Sequence, residues 1–245
     1  MNISLTTQAA LFSPCIPSSP TLNQVSLPTM NRILTLVTTE ARIELRERYA
    51  LSGILLYVLS ASFIVFSIWR QLPPKEWGLT FWIIFLFSAL MAVLKSFGRE
   101  SESRYFYYYT LYHPLQLFIA KVFYNLLLLL FIFLVLWFVL FVMAGDHIIR
   151  KGWFLTTGLL ACTGLSFLLT LITSIAIKTQ QNASLTSVMA LPLMIPLLIN
   201  ILRLTAYAAG TTPDDNPWNE LTLLASIISL VVGLSLWLFP YLWRS

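Results

Sequence analysis

Few residues in this chain could do chemistry on their own. The histidines are His113 and His147, and the cysteines are Cys15 and Cys162. They form neither a disulfide framework nor a zinc site. Cys162 lies in an apolar run and reads as a buried, inert thiol. No G-x-x-x-x-G-K-[ST] loop occurs, so the chain cannot hydrolyse ATP as a P-loop enzyme, and no H-E-x-x-H occurs either. Paired catalytic residues for intramembrane proteolysis or lipid-headgroup transfer are missing as well. The chain is therefore not read as an enzyme, and no catalytic residue, metal ligand or bound cofactor is assigned to it.

Four other sets of residues could carry function. In the first, Leu34, Val37, Ala41, Leu45 and Tyr49 recur at spacings of three and four and make one apolar helix face. Glu40, Arg42, Glu44, Arg46, Glu47 and Arg48 surround it, and Glu44 and Arg48 form an i,i+4 pair in the favourable order. This pattern predicts a helix lying in the membrane interface, either a plain anchor or an elbow gripped by a partner. The second set is the segment Lys95–Lys121, expected to be a cytoplasmic loop. It holds Phe97, Arg99, Glu100, Glu102 and Arg104, then Tyr105, Tyr107, Tyr108, Tyr109 and Tyr112, then Pro114 and Lys121. Tyrosines favour the headgroup level. Mixed charge with exposed aromatics also suits a partner-facing surface.

The third set is Pro192 and Pro196. Each proline removes a backbone donor and crowds the carbonyl four residues earlier. In lipid those carbonyls need other partners, so this stretch should face protein or a cavity, as a packing kink or as a hinge. The fourth set is a hydroxyl stripe, Thr163, Ser166, Thr170 and Thr173, with Ser174 beside it. Its spacing puts it on one helix side, where close helix packing is the ordinary use and a polar pathway wall the alternative.

The elements that must position these sets cross a membrane. The chain has 245 residues, 58% hydrophobic and 10% charged, with a mean hydropathy of +0.80. A soluble domain carries about 25% charged residues. The shortage excludes an ordinary cytosolic enzyme and a disordered chain. The net charge of +5 is spread too thinly for a nucleic-acid surface. Six charge-poor runs approach the length of about 20 residues that a spanning helix needs. They predict spans near 49–69, 77–97, 118–145, 152–177, 183–207 and 220–243, so the fold class is an all-α membrane protein. Arg32, Arg42, Arg46, Arg48, Lys95, Arg99, Arg104, Lys121, Lys178 and Arg244 fall on one side of that topology. Arg70, Lys75, Arg150, Lys151 and Arg203 fall on the other. The excess places both termini in the cytoplasm. Trp69, Trp77, Trp82, Trp153 and Trp218 would then form an outer aromatic belt. No span carries a central carboxylate or lysine, which weighs against proton coupling. Residues 1–29 are rich in Ser, Thr, Pro and Asn without charge, and read as a disordered tail or an extension upstream of a start at Met30. Residues 30–245 form the transmembrane domain.

These parts together resemble the heme exporter protein B (CcmB) family, the permease-like subunit of the cytochrome c maturation ABC transporter. The resemblance rests on Glu44-Leu45-Arg46, six spans, a long loop after the second span, and Ala190-Leu191-Pro192-Leu193-Met194-Ile195-Pro196-Leu197-Leu198-Ile199. Phe97, Glu100, Leu111, Pro114, Ala120 and Lys121 look like the family's loop pattern. The tyrosine run departs from that pattern, and Ser103-Arg104 stand near where the family has a glycine.

The resemblance implies an ABC-2 exporter type of subunit in a bacterial inner membrane. It would pair with itself, with a CcmA-like ATPase and with other cytochrome c maturation proteins. ATP would be used by the partner, and heme is a candidate transported species. The loop around Phe97–Lys121 and the elbow at Glu44, Leu45, Arg46 and Arg48 would couple to the ATPase, with Pro192 and Pro196 as hinge. The spans offer no histidine as an axial heme ligand. A permease for a lipid, polysaccharide or drug, and a scaffold without transport, are the competing readings.

Overall fold

The computed structural model describes residues 48–69, 73–98, 114–145, 147–178, 183–212 and 216–244. Six helices account for nearly all of them: α1 (Arg48–Ile68), α2 (Pro74–Gly98), α3 (Pro114–Ala144), α4 (Lys151–Lys178), α5 (Ala183–Ala208) and α6 (Pro217–Arg244). No strand occurs among the described residues. α2 to α6 are each long and apolar enough to cross a membrane, whereas the described apolar part of α1, Ser52–Ile68, is shorter.

The sequence sets the helix ends by local chemistry. α2 and α6 each begin with proline, whose fixed φ and missing N–H suit the first helical position. Asn216 caps α6, its Oδ1 accepting from the Trp218 amide at 3.3 Å. α3 stops at Gly145 (φ 87°), whose amide bonds the Phe141 carbonyl at 3.1 Å. α5 stops at Gly210 (φ 74°), with the Thr211 amide on the Ala206 carbonyl and the Gly210 amide on that of Tyr207. Both closures use a left-handed residue to satisfy carbonyls left over at a helix end.

Side-chain contacts show the helices running alternately up and down. The starts of α2, α4 and α6 and the ends of α3 and α5 share one end of the bundle. There Trp77 meets Phe154, Trp137 meets Phe154, Arg150 bonds the Tyr207 carbonyl at 3.0 Å, and Arg203 pairs with Glu220. At the other end Phe118 of α3 packs on Phe239 of α6, with ring centroids 4.4 Å apart. α4 packs against α2, α3, α5 and α6 and is the centre of the bundle.

α3 illustrates how the pattern becomes packing. Phe118, Val122, Asn125, Leu129, Ile132, Leu136 and Leu140 are buried on one face. Leu127, Phe131, Leu134, Phe138 and Phe141 are exposed on the opposite one. Both series step by three and four residues, as a helix with one protein side and one lipid side requires.

Two expectations are corrected here. Of the loop expected over Lys95–Lys121, both ends are helical: Lys95 and Phe97 belong to α2, and Pro114 and Lys121 to α3, while residues 99–113 lie outside the described residues. The aromatic belt is also thinner than expected. Trp77 and Trp82 are each 1% exposed and sit in the core, while Trp69 and Trp218 face outward. Phenylalanines on α2, α3 and α4 recruit these two indoles inward.

Candidate functional site

The bundle holds two internal structures of different chemistry, one at each end. The first is aromatic. Phe81 lies 5.4 Å from Trp77, 5.3 Å from Trp82, 5.3 Å from Phe133 and 5.2 Å from Phe154, centroid to centroid. Most of these pairs meet edge to face, the arrangement that a ring quadrupole favours. The cluster locks α2, α3 and α4 together. Gly158 makes room for it, since a Cβ there would lie 2.3 Å from Phe133 Cζ. Trp82 Nε1 donates to Thr205 Oγ1 at 2.8 Å, which ties in α5. The Trp77 indole N–H is buried with no acceptor among the described residues.

The second structure is polar and lies toward the other end, where α3 meets α4. Asn125 is fully buried where the polar first turns of α3 give way to an unbroken apolar run. Its Nδ2 donates to Thr170 Oγ1 at 2.8 Å. One turn earlier, Ser166 Oγ donates to the Val122 carbonyl at 2.6 Å. Asn125 Oδ1 is buried without a partner among the described residues. Lys121, one turn before Asn125 on α3, is 6% exposed. Two cross-helix hydrogen bonds therefore seam α3 to α4. A buried polar group in a spanning helix is costly enough that it ordinarily faces protein, as this one does.

The hydroxyl stripe of α4 divides between two uses. Ser166 and Thr170 reach across to α3. Thr163 and Thr173 donate to the carbonyls of Leu159 and Leu169 in their own helix, and Ser174 to that of Thr170. Asn125 is absent from the sequence-based candidates. It is a single amide at the edge of an apolar run, and its one polar neighbour at helical spacing, Lys121, reads as part of the charged loop.

Pro192 and Pro196 lie within α5, whose helix runs unbroken through both. They project outward from the subunit, together with Leu191, Leu193, Ile195 and Ile199. The face that was expected to meet protein or a cavity is therefore exposed among the described residues. Asn200 Nδ2 donates to the Pro196 carbonyl at 2.8 Å, supplying one extra donor on that side.

The remaining candidates are placed as follows. Glu44, Leu45, Arg46, Arg99, Glu100, Glu102 and Arg104 lie outside the described residues, as does the tail 1–29. Arg48 and Phe97 are in helices, but their side chains are not described. Pro114 and Lys121 stand at the start of α3, directly after the charged segment. Cys162 is fully buried in α4. No cluster of three potential metal ligands occurs among the described residues.

Comparison with known proteins agrees with this architecture. No curated protein matches the chain by sequence. A family model described as "CcmB protein" matches residues 31–241, nearly the whole of the membrane region. The chain belongs to the CcmB family and is a multi-pass membrane subunit of the heme-exporter, ABC-transporter type.

Proposed function

We propose that this subunit serves c-type cytochrome biogenesis in the bacterial inner membrane, with ATP-driven motion delivering heme or releasing a loaded heme chaperone on the periplasmic side. α1 is taken as the sixth span, since its 21 residues reach about 32 Å, enough for the hydrocarbon core. The segment before it, Glu44–Arg48, is the interfacial elbow, and both termini are cytoplasmic. A CcmA-like ATPase grips the elbow and the segment Arg99–Pro114. A second copy of this chain and other cytochrome c maturation proteins complete the assembly.

The observation that carries the mechanical part is the seam between α3 and α4. α3, described from Pro114, follows the segment Arg99–Pro114 in the chain, so a push on that segment reaches α3 first. Asn125–Thr170 and Ser166–Val122 pass that displacement to α4, the central helix. Such a device acts without any heme ligand in this chain, which favours chaperone release over heme passage. A heme bound stoichiometrically within the spans of the purified subunit would count against it.

Deleting the gene and staining periplasmic fractions for covalent heme tests the reading. Loss of c-type cytochromes is expected, and normal levels would overturn it. An ATPase-dead partner should reproduce the loss, which a passive scaffold would not. Glu100→Arg should lower recruitment of the ATPase to membranes; unchanged recruitment and maturation would remove Glu100 from the coupling surface.

A further inference from the structure

A cleft of about 190 Å³ opens between the first turns of α2 and the last turns of α5. Its floor is closed by Gly78 and Thr205, where a Cβ on the glycine would lie 3.1 Å from Thr205 Cγ2. The Thr205 hydroxyl is already used, donating to the Ile201 carbonyl and accepting from Trp82, so the floor offers no free polar group. Leu79, Leu202 and Ala206 form apolar walls. The rim differs in kind: Lys75 and Arg203 stand on opposite helices, both exposed. Arg203 Nη1 bonds Glu220 Oε1 at 3.1 Å, which holds the guanidinium near the rim while its side chain stays 61% exposed. Glu76, next to Lys75, does not line the cleft.

Depth and charge together select the occupant. This end of the bundle carries the outward-facing Trp69 and Trp218, so it lies at headgroup level. Lys75 on one side and the Arg203–Glu220 pair on the other sum to one positive charge at that level, which complements a phosphate, and the apolar walls below them complement hydrocarbon. A free anion would gain nothing from Leu79, Leu202 and Ala206. A neutral chain would gain nothing from Lys75 and Arg203. We propose that the cleft holds one anionic phospholipid, its phosphate between Lys75 and Arg203 and its acyl chain against Leu79, Leu202 and Ala206.

Native mass spectrometry of the purified full-length chain, titrated with phosphatidylglycerol and with phosphatidylcholine of identical acyl chains, tests this. One phosphatidylglycerol should bind more tightly than any phosphatidylcholine. The double variant K75Q/R203Q should weaken it by on the order of ten-fold, from two lost headgroup charges. Lys151→Gln, at the same end but outside the cleft, should change it little. Leu79→Trp should block the acyl chain and also weaken it, with both rim cations intact. Because Leu79→Trp could disturb folding and R203Q removes the ion pair with Glu220, the decision rests on K75Q alone, which leaves that pair intact, has its side chain at the surface and should weaken binding by about five-fold. Equal binding of the two lipids, or full retention by K75Q, overturns the proposal. Displacement of the lipid by inorganic phosphate at comparable concentration would also overturn it, by assigning the rim to a free anion.

Discussion

Asn125 holds one good hydrogen bond and leaves one oxygen unused, both in the interior of an apolar helix pair. An interhelical hydrogen bond in lipid contributes on the order of 1 kcal/mol, and the unpaired oxygen offsets part of that. Asn125→Leu should therefore leave the folded subunit within about 1 kcal/mol of the parent, measured by unfolding in detergent. If the seam transmits motion, the same variant should lose cytochrome c maturation at normal protein abundance. Retained maturation would make the seam a packing feature only. Asn125→Asp should behave differently, costing roughly 2.5–3.5 kcal/mol and lowering abundance, because a carboxyl replaces a neutral amide in the span. Little of this was legible beforehand. The hydroxyls of α4 announced themselves by period, but whether a hydroxyl bonds its own helix or a neighbour depends on what stands opposite. Thr170 faces an amide 45 positions away in the chain, and no local pattern encodes that meeting.

At the level of helices, the aromatic cluster depends on a gap as much as on its rings. Gly158 lets Phe133 lie against the α4 backbone, and Phe133 is held on its other sides by Phe81, Phe85 and Phe154. Gly158→Ala should destabilise by about 1–3 kcal/mol, since the ring has little room to retreat. Phe133→Leu should restore part of that loss in the double variant, and simple additivity in a double-mutant cycle would show that the two do not touch. Helix positions themselves were readable from charge-free length, and the six helices fall on the six runs. Their faces were less readable. Trp77 and Trp82 have the composition of interfacial anchors, yet the phenylalanines of three helices draw them inside, and only the assembled bundle shows this. Pro114 reads as a loop residue because prolines usually interrupt helices, yet it belongs to α3.

At the level of the whole molecule, the outward face of α5 is the place to look for a second copy. Pro192 and Pro196 leave carbonyls of their own helix without their usual donors, and this face exposes them with Leu191, Ile195 and Ile199. Ile195→Cys and Ile199→Cys, in a background with Cys15 and Cys162 replaced, should form disulfide-linked dimers in native membranes. Leu134→Cys, on the lipid-facing strip of α3, should stay monomeric. Crosslinking at Leu134 but not at α5 would move the interface elsewhere. The length of α3 carries one more consequence. Its 31 described residues reach about 46 Å, well beyond a hydrocarbon layer of roughly 30 Å. The surplus must be taken up by inclination or by emergence through the headgroup layer. A change in bilayer thickness therefore alters the tilt of α3 before it exposes any apolar side chain, and the membrane itself becomes a lever on the helix that carries Asn125.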